Sequence, residues 1–236
     1  MDWMAAAIEF VAGPLIRVSR LAPIATVGVL SALIPIHAGW RRRAELPPAL
    51  RWALVYLAAT FVEEMFMLYW SRSGRSNIWI INLYVPCGTI LLGLMFAGWQ
   101  LRERWRRVIY GVIAVFPVLW LLLMLTVEDF HRFPTYSQPI QSLLVLTVAA
   151  WTLIQRTRHA VSPVVRHPWY WVSVGVLFYF VYLLLVNPFS KLMVAQSPGL
   201  VRAAFEINGI LATLMNLFWL RAFLLVRRPS KAEARA

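Results

Sequence analysis

One apolar run decides the fold class: residues 78–99 read IWIINLYVPCGTILLGLMFAGW and carry no charged side chain. A hydrocarbon layer about 30 Å thick is crossed by roughly 20 apolar residues in a helix. The run therefore predicts a membrane-spanning helix. Similar runs lie on both sides of it along the chain, and together they predict seven spans at 21–38, 50–70, 78–99, 108–126, 139–155, 169–186 and 205–226.

The rest of the chain has the same character. Of its 236 residues, 61% are hydrophobic and 14% are charged, a composition far from that of water-soluble proteins. The connections between the runs are short, and no linker-like or soluble segment of domain size separates them. We therefore expect an all-α polytopic membrane protein that forms a single domain over residues 1–236. Residues 1–20 are expected to form a short interfacial helix, and residues 227–236 a cytoplasmic tail.

Basic residues predict the orientation of this bundle. Most of the 23 lysines and arginines fall at the span ends that share a side with the C-terminus. Because positive charge resists translocation, we expect the N-terminus outside and the C-terminus in the cytoplasm. The net charge of +13 is thus a membrane feature, suited also to anionic lipid headgroups. The basic residues form no single patch with interleaved aromatic residues, so we expect no nucleic-acid partner.

Polar residues inside the spans fall on one side of the bilayer when this orientation is combined with the helical rise of about 1.5 Å per residue. Five spans place such side chains in the outer half of the membrane, which predicts a polar cavity open to the outside. The residues expected to bind a small ligand there are Glu63, Glu64, Asn82, Tyr84, Tyr136, Gln138, Gln141, Tyr179, Glu206 and Asn208.

Glu63 and Glu64 are the strongest members of this group. A charged carboxylate at the bilayer centre costs at least a few kcal/mol, so both are expected to face the bundle interior, a partner or water. Adjacent helical residues point about 100° apart, and we therefore expect no more than one of the two at the centre of a site. An alternative for the whole group is hydrogen bonding between helices, at about 1 kcal/mol for each bond.

Several chemistries are not expected from this sequence. Its only lysines are Lys191 in a loop and Lys231 in the tail, so no span supplies the lysine that a retinal Schiff base needs. The four histidines fall at span ends or in loops, which argues against haem held within the bundle. Neither a zinc-hydrolase ligand set nor a serine with a nearby histidine is visible. We expect no enzyme, no catalytic residues, no metal and no cofactor.

Short motifs carry a resemblance to a known group. They are Phe133-Pro134-Thr135-Tyr136-Ser137, His167-Pro168-Trp169-Tyr170-Trp171 followed by Gly175, Leu177, Tyr179 and Phe180, and the last span with Asn208 and Asn216. In these the chain resembles an uncharacterised family of bacterial seven-helix integral membrane proteins. The resemblance covers about the last two thirds of the chain. It implies the topology and a bacterial inner-membrane location, and it brings no activity, substrate or site residues.

Three functions remain open at this point. The first hypothesis is a receptor-like or sensory protein that binds a small polar ligand from outside and signals to a cytoplasmic or membrane protein partner, because no soluble output domain follows the last span. The second is a small transporter in which Glu63 or Glu64 couples substrate to protons. The third is a structural subunit of a larger membrane complex. In every case the bilayer is the first partner.

Overall fold

The structure, a computed structural model, describes residues 23–72, 76–189 and 197–226. These residues form helices and connecting turns, and no β-strand occurs among them. Within the described residues, seven helical segments are long and apolar enough to cross a membrane, which confirms the expected all-α multi-pass architecture. The predicted interfacial helix at 1–20 and the predicted tail at 227–236 lie outside the described residues.

Eight α-helices build these seven spans. They are α1 (Pro23–Ser31), α2 (Leu33–Arg41), α3 (Pro48–Arg72), α4 (Ile78–Ala97), α5 (Glu103–Thr126), α6 (Ser137–Arg158), α7 (Pro168–Val186) and α8 (Pro198–Leu224). Two single 3-10 turns, Val164–Arg166 and Asn187–Phe189, flank α7.

The first span consists of two helices, α1 and α2, which meet at Ala32. Pro35 lies in the first turn of α2 and has no backbone N–H, so the helical hydrogen bond to the carbonyl of Ser31 cannot form. Ala32 itself keeps helical dihedral angles and its carbonyl accepts from the backbone N–H of Ile36 at 3.1 Å. The interruption is therefore local, and α1 and α2 together cover the single span Pro23–Arg41.

Helix ends extend beyond the predicted spans where basic residues border the apolar run. The fourth span was predicted from residue 108, whereas α5 begins at Glu103. Its first turn is polar, and Glu103 forms an ion pair there with Arg106. Backbone hydrogen bonding lets a helix begin before its apolar run does, so hydropathy alone places this start too late.

Six of the seven described spans form a ring. The α1–α2 span contacts α3, then follow α4, α6 and α7, and α8 closes the ring by packing along α1 and α2. Helix α5 lies outside the ring, packed mainly against α4. Its outer face is apolar and exposed, as shown by Val115 at 64% and Leu125 at 71%, which suits contact with lipid tails.

Large side chains fill one half of the ring. Leu57, Phe96, Trp219 and Phe223 are almost completely buried within one continuous cluster. Beyond this cluster lies an end of the bundle rich in arginine, here called the arginine end, where Arg42 donates to the last carbonyls of α8. The opposite half of the ring is not filled in this way, and the candidate site lies there.

Candidate functional site

A cavity of about 250 Å³ lies between the spans at the end opposite the arginine end. Six of the seven spans and the α5–α6 loop contribute to its wall, and α5 does not. The lining residues are Ala25, Val29, Tyr56, Thr60, Glu63, Glu64, Met67, Ile81, Tyr84, Val85, Phe133, Gln138, Gln141, Tyr179, Phe180, Tyr182, Leu183, Val186, Asn187, Ala204, Phe205 and Asn208. Its volume suits a ligand smaller than the drug-sized molecules that occupy pockets of about 300–1,000 Å³.

Helix α3 supplies the acidic wall. Tyr56, Thr60, Glu63, Glu64 and Met67 all line the cavity, and they follow one another at helical spacings of four, three, one and three residues. Glu63 and Glu64 are three and four residues after Thr60, so they lie on either side of the same stripe. Both carboxylates therefore contribute to the wall, where no more than one was expected at its centre.

Neither glutamate is neutralised by a described neighbour. Among the residues that the structure describes, ion pairs within 4 Å join only Arg106 to Glu103 and Arg132 to Asp129. The described lining contains no lysine, arginine or histidine. Two carboxylates thus share a partly enclosed space whose described wall offers no counter-charge.

Tyrosine rings surround the carboxylates. Tyr84 on α4 and Thr60 on α3 are joined by a hydrogen bond of 2.5 Å between their hydroxyl oxygens. Tyr56 lies one turn deeper, with its ring centroid 6.4 Å from that of Tyr84 and 5.5 Å from that of Trp219. The cavity floor is therefore made of aromatic side chains that continue directly into the packed cluster.

Helix α6 contributes two amides with different roles. Gln138 lies at the start of the helix and lines the cavity. Gln141 is buried, and its amide donates to the carbonyl of Val85 on α4 at 2.8 Å. An added methyl group at Gly88 would lie 3.3 Å from the same amide nitrogen. The small residue at this position therefore lets α6 approach α4 and close the wall.

Helices α7 and α8 and the turn after α7 complete the wall with polar groups, and two buried amide atoms among them lack a partner in the described part of the chain. Tyr179 and Tyr182 come from α7, and the Tyr182 hydroxyl donates to the carbonyl of Ala204 on α8. Asn208 Oδ1 and Asn187 Nδ2 are buried and make no hydrogen bond within the described part of the chain. Buried amides nearly always have a partner, so these atoms are available to a ligand or to water.

Three of the predicted site residues lie outside the cavity wall. Asn82 is fully buried and its amide donates to the carbonyls of Phe130 and Arg132 in the α5–α6 loop. Tyr136 is half exposed. Glu206 faces α1, where its carboxylate accepts the backbone N–H of Ala25 at 3.2 Å. Asn82 and Glu206 thus support the elements around the cavity. The other seven, which line it, are Glu63, Glu64, Tyr84, Gln138, Gln141, Tyr179 and Asn208.

Sequence reasoning missed Tyr56 and Phe133 as lining residues. Tyr56 carries a readable signal, because it precedes Thr60 by four residues and so shares the stripe of the two glutamates. Phe133 carries no such signal, since it lies in a loop whose course depends on two sets of hydrogen bonds. The Asn82 amide donates to the loop carbonyls, and the Glu128 carboxylate accepts the backbone N–H groups of Tyr136 and Ser137. These contacts exist only in the folded chain.

The cavity offers a ligand hydrogen-bond acceptors, hydroxyl groups and aromatic faces. No group of three or more histidine, cysteine, aspartate or glutamate side chains placed to hold a metal ion occurs among the described residues.

Comparison with known proteins found no protein-family model, no curated protein and no solved structure that matches the chain. The resemblance to bacterial seven-helix proteins therefore stays a prediction.

Proposed function

We propose that this protein is a receptor-like membrane protein that binds a small ligand in the cavity between its spans. The observation that carries the proposal is the asymmetry of the bundle: one half holds a cavity whose mainly apolar wall includes two carboxylates, and the other half is filled by large buried side chains. A binding site that is open at one end and closed by a packed core at the other is suited to sensing.

The proposed orientation follows the distribution of charge. Arginines cluster at the end away from the cavity, and positive charge is retained on the cytoplasmic side of bacterial inner membranes. The cavity then faces outward, and the arginine end faces a cytoplasmic or membrane-bound partner. Tyr56 links the two halves, because its ring lies between the cavity and Trp219 in the packed cluster.

The test is native mass spectrometry of the protein purified in lipid nanodiscs, with copurified small molecules and proteins recorded together. Val29→Phe is the diagnostic variant, because Val29 lines the cavity and the larger side chain would fill it without changing any charge. Val27→Phe is the matched control, since Val27 lies on the same helix and is 56% exposed on the outer surface.

We expect a small molecule that is retained by Val27→Phe and lost from Val29→Phe. A stoichiometric protein partner without any small molecule would instead favour a structural subunit of a larger complex and contradict the receptor proposal.

A proton-coupled transporter is the second candidate, favoured by the two carboxylates without described counter-charges and by the interruption of the first span at Ala32. Transporters often place their sites beside broken helices. Uptake of the copurified molecule into proteoliposomes, driven by a pH gradient and abolished in Glu63→Gln or Glu64→Gln, would favour transport over sensing.

A further inference from the structure

We propose that the ligand is a small organic ammonium ion, held by Glu63 and Glu64 with its apolar part against the tyrosine and aliphatic wall. This inference rests on the proposed function, because it names the class of ligand that the same cavity takes. Four features of the cavity carry it: the sign of its charge, its acceptor groups, its aromatic faces and its apolar surface.

The charge of the described wall has one sign. Glu63 and Glu64 both line the cavity, and no basic side chain is among the described lining residues. A partly enclosed site lined by charge of one sign focuses the electrostatic field and concentrates ions of the opposite charge. An anionic ligand would have to enter against two carboxylates without a described cation to receive it. A cation therefore fits this wall and an anion does not.

The acceptor groups favour a cation that carries N–H bonds. Besides the two carboxylates, Asn208 places in the wall a buried Oδ1 that has no partner among the described residues. A primary ammonium group has three N–H donors and no acceptor. Glu63, Glu64 and Asn208 offer acceptors of matching kind from two helices on the cavity wall. A quaternary ammonium ion would leave the Asn208 oxygen without a donor.

The remaining wall favours an organic cation over a metal ion. Tyr56, Tyr84, Tyr179 and Tyr182 line the cavity, and the faces of such rings attract ammonium groups within about 6 Å. Aliphatic and phenylalanine side chains form much of the rest: Val29, Met67, Ile81, Val85, Phe180, Leu183 and Val186. Hard metal ions prefer six or more oxygen ligands, whereas an alkyl or aryl ammonium ion uses both kinds of surface.

A thiol placed in the wall reports both access and charge preference. We choose Thr60→Cys because Thr60 lies one helical turn before both glutamates on α3 and lines the cavity. The background is Cys87→Ser, because the native Cys87 is exposed and outside the cavity lining and would also react. Val186→Cys in the same background is a second site, used because Thr60 bonds to Tyr84 and its loss can disturb folding. Rates are measured with three methanethiosulfonates, carrying a neutral methyl, a cationic trimethylammonioethyl or an anionic sulfonatoethyl group.

We expect the cationic reagent to modify the introduced thiol at least ~10-fold faster than the anionic reagent. The ratio should fall towards one in Glu63→Gln combined with Glu64→Gln. It should be unchanged in Glu103→Gln, whose carboxylate is exposed and paired with Arg106 at the arginine end. 2-Phenylethylamine should protect the thiol from the neutral reagent, while 2-phenylethanol, its uncharged analogue of nearly equal size, should not.

The possible failures are distinguishable. The ammonium assignment is overturned if the neutral reagent reacts but the cationic and anionic reagents modify the thiol at equal rates. It is also overturned if the amine protects the thiol no better than the alcohol does. In both cases a small-ligand cavity still stands. If a trimethylated derivative of the amine protects as well as the amine, the role given to the Asn208 oxygen is overturned. If the neutral reagent reaches neither thiol, the cavity is closed to small molecules and the proposed function itself fails.

Discussion

Asn82 is a polar residue inside a span whose role is structural. Its side chain is completely buried, and its amide donates to the carbonyls of Phe130 at 2.9 Å and Arg132 at 3.0 Å. These carbonyls belong to the loop between α5 and α6, which has no helical partners for them. The same loop carries Phe133 into the cavity wall. Asn82 therefore acts on the site through the loop that it holds.

Replacing this residue should destabilise the protein. In Asn82→Leu the side chain keeps its approximate size but loses its donors, which leaves the carbonyls of two part-buried hydrogen bonds without that partner at a cost of about 1–3 kcal/mol. We expect a lower midpoint of thermal unfolding in detergent micelles. The control is Thr147→Ala, which removes an exposed hydroxyl bonded to its own helix and should change stability by no more than about 0.5 kcal/mol. Equal effects of the two would contradict the role given to Asn82.

Among the elements, the crossing of α1 and α8 decides how the ring closes. An added Cβ at Gly209 would lie 2.6 Å from the Ala25 Cα, and one at Gly28 would lie 2.7 Å from the Gly209 Cα. The two backbones are therefore in direct contact. Around this point, the Asn216 amide donates to the Ser31 hydroxyl at 2.8 Å. Small residues let the helices approach, and polar side chains then bridge them.

Gly209→Ala should separate these helices. The added methyl group meets backbone atoms that cannot rotate away, so we expect a loss of about 1–3 kcal/mol in the free energy of unfolding. Gly111→Ala on α5 is the matched control, because nothing lies within 4 Å of a methyl group there. Alanine favours the helix by about 0.5–1 kcal/mol over glycine, so the control should be neutral or stabilising. Thermal unfolding of both variants checks the sign, and a stable Gly209→Ala variant would rule out the close crossing.

The end of α8 offers a second test at the level of elements. Arg42 donates from Nη1 to the carbonyls of Phe223 and Leu224 in the last turn of α8, and to that of Val226 just beyond it, at 3.1–3.2 Å. The last carbonyls of a helix have no partner in a following helical turn. Arg42→Gln should lower stability by about 1–2 kcal/mol, since hydrogen bonds from a charged group are lost. Arg43→Gln removes the same charge from an exposed side chain stacked on Trp40. It should have little effect on unfolding, and a comparable loss would mean that charge alone matters.

Viewed as a whole molecule, the bundle has two chemically different ends. The arginine end includes the C-termini of α2, α4, α6 and α8. The opposite end of the bundle contains the cavity. If both ends reach water on opposite sides of a membrane, each is accessible from one side only. The charge distribution favours the arginine end in the cytoplasm.

Cysteine labelling tests this orientation. In a Cys87→Ser background, His131→Cys places a thiol in the exposed α5–α6 loop, and Arg158→Cys places one at the exposed end of α6. A membrane-impermeant maleimide should label His131→Cys in intact spheroplasts, and Arg158→Cys only after permeabilisation. The reverse pattern would overturn the proposed orientation, and labelling of both in intact spheroplasts would contradict the span count between them.

Much of the architecture could be predicted from the sequence, because insertion into a membrane depends directly on the hydrophobicity of each segment. An unpaired backbone group is costly in hydrocarbon, so each apolar run of sufficient length must become a helix. The run at 78–99 therefore needed no tertiary information, and the predicted orientation with the helical rise placed Glu63 and Glu64 in one half of the membrane with the other polar residues. The boundaries were less certain, because polar first turns such as that of α5 continue a helix by hydrogen bonding.

Only the tertiary structure decided which polar residues meet. Glu206 and Asn208 are two residues apart on α8, yet Glu206 accepts the Ala25 N–H while Asn208 lines the cavity. Hydropathy gives both residues the same depth in the membrane, but it says nothing of which helix each one faces. That choice depends on close packing at Gly28 and Gly209, since the contact fixes the rotation of α8 against α1. The sequence by itself thus determined the spans and the depth of their polar groups, and packing determined which of those groups share a cavity.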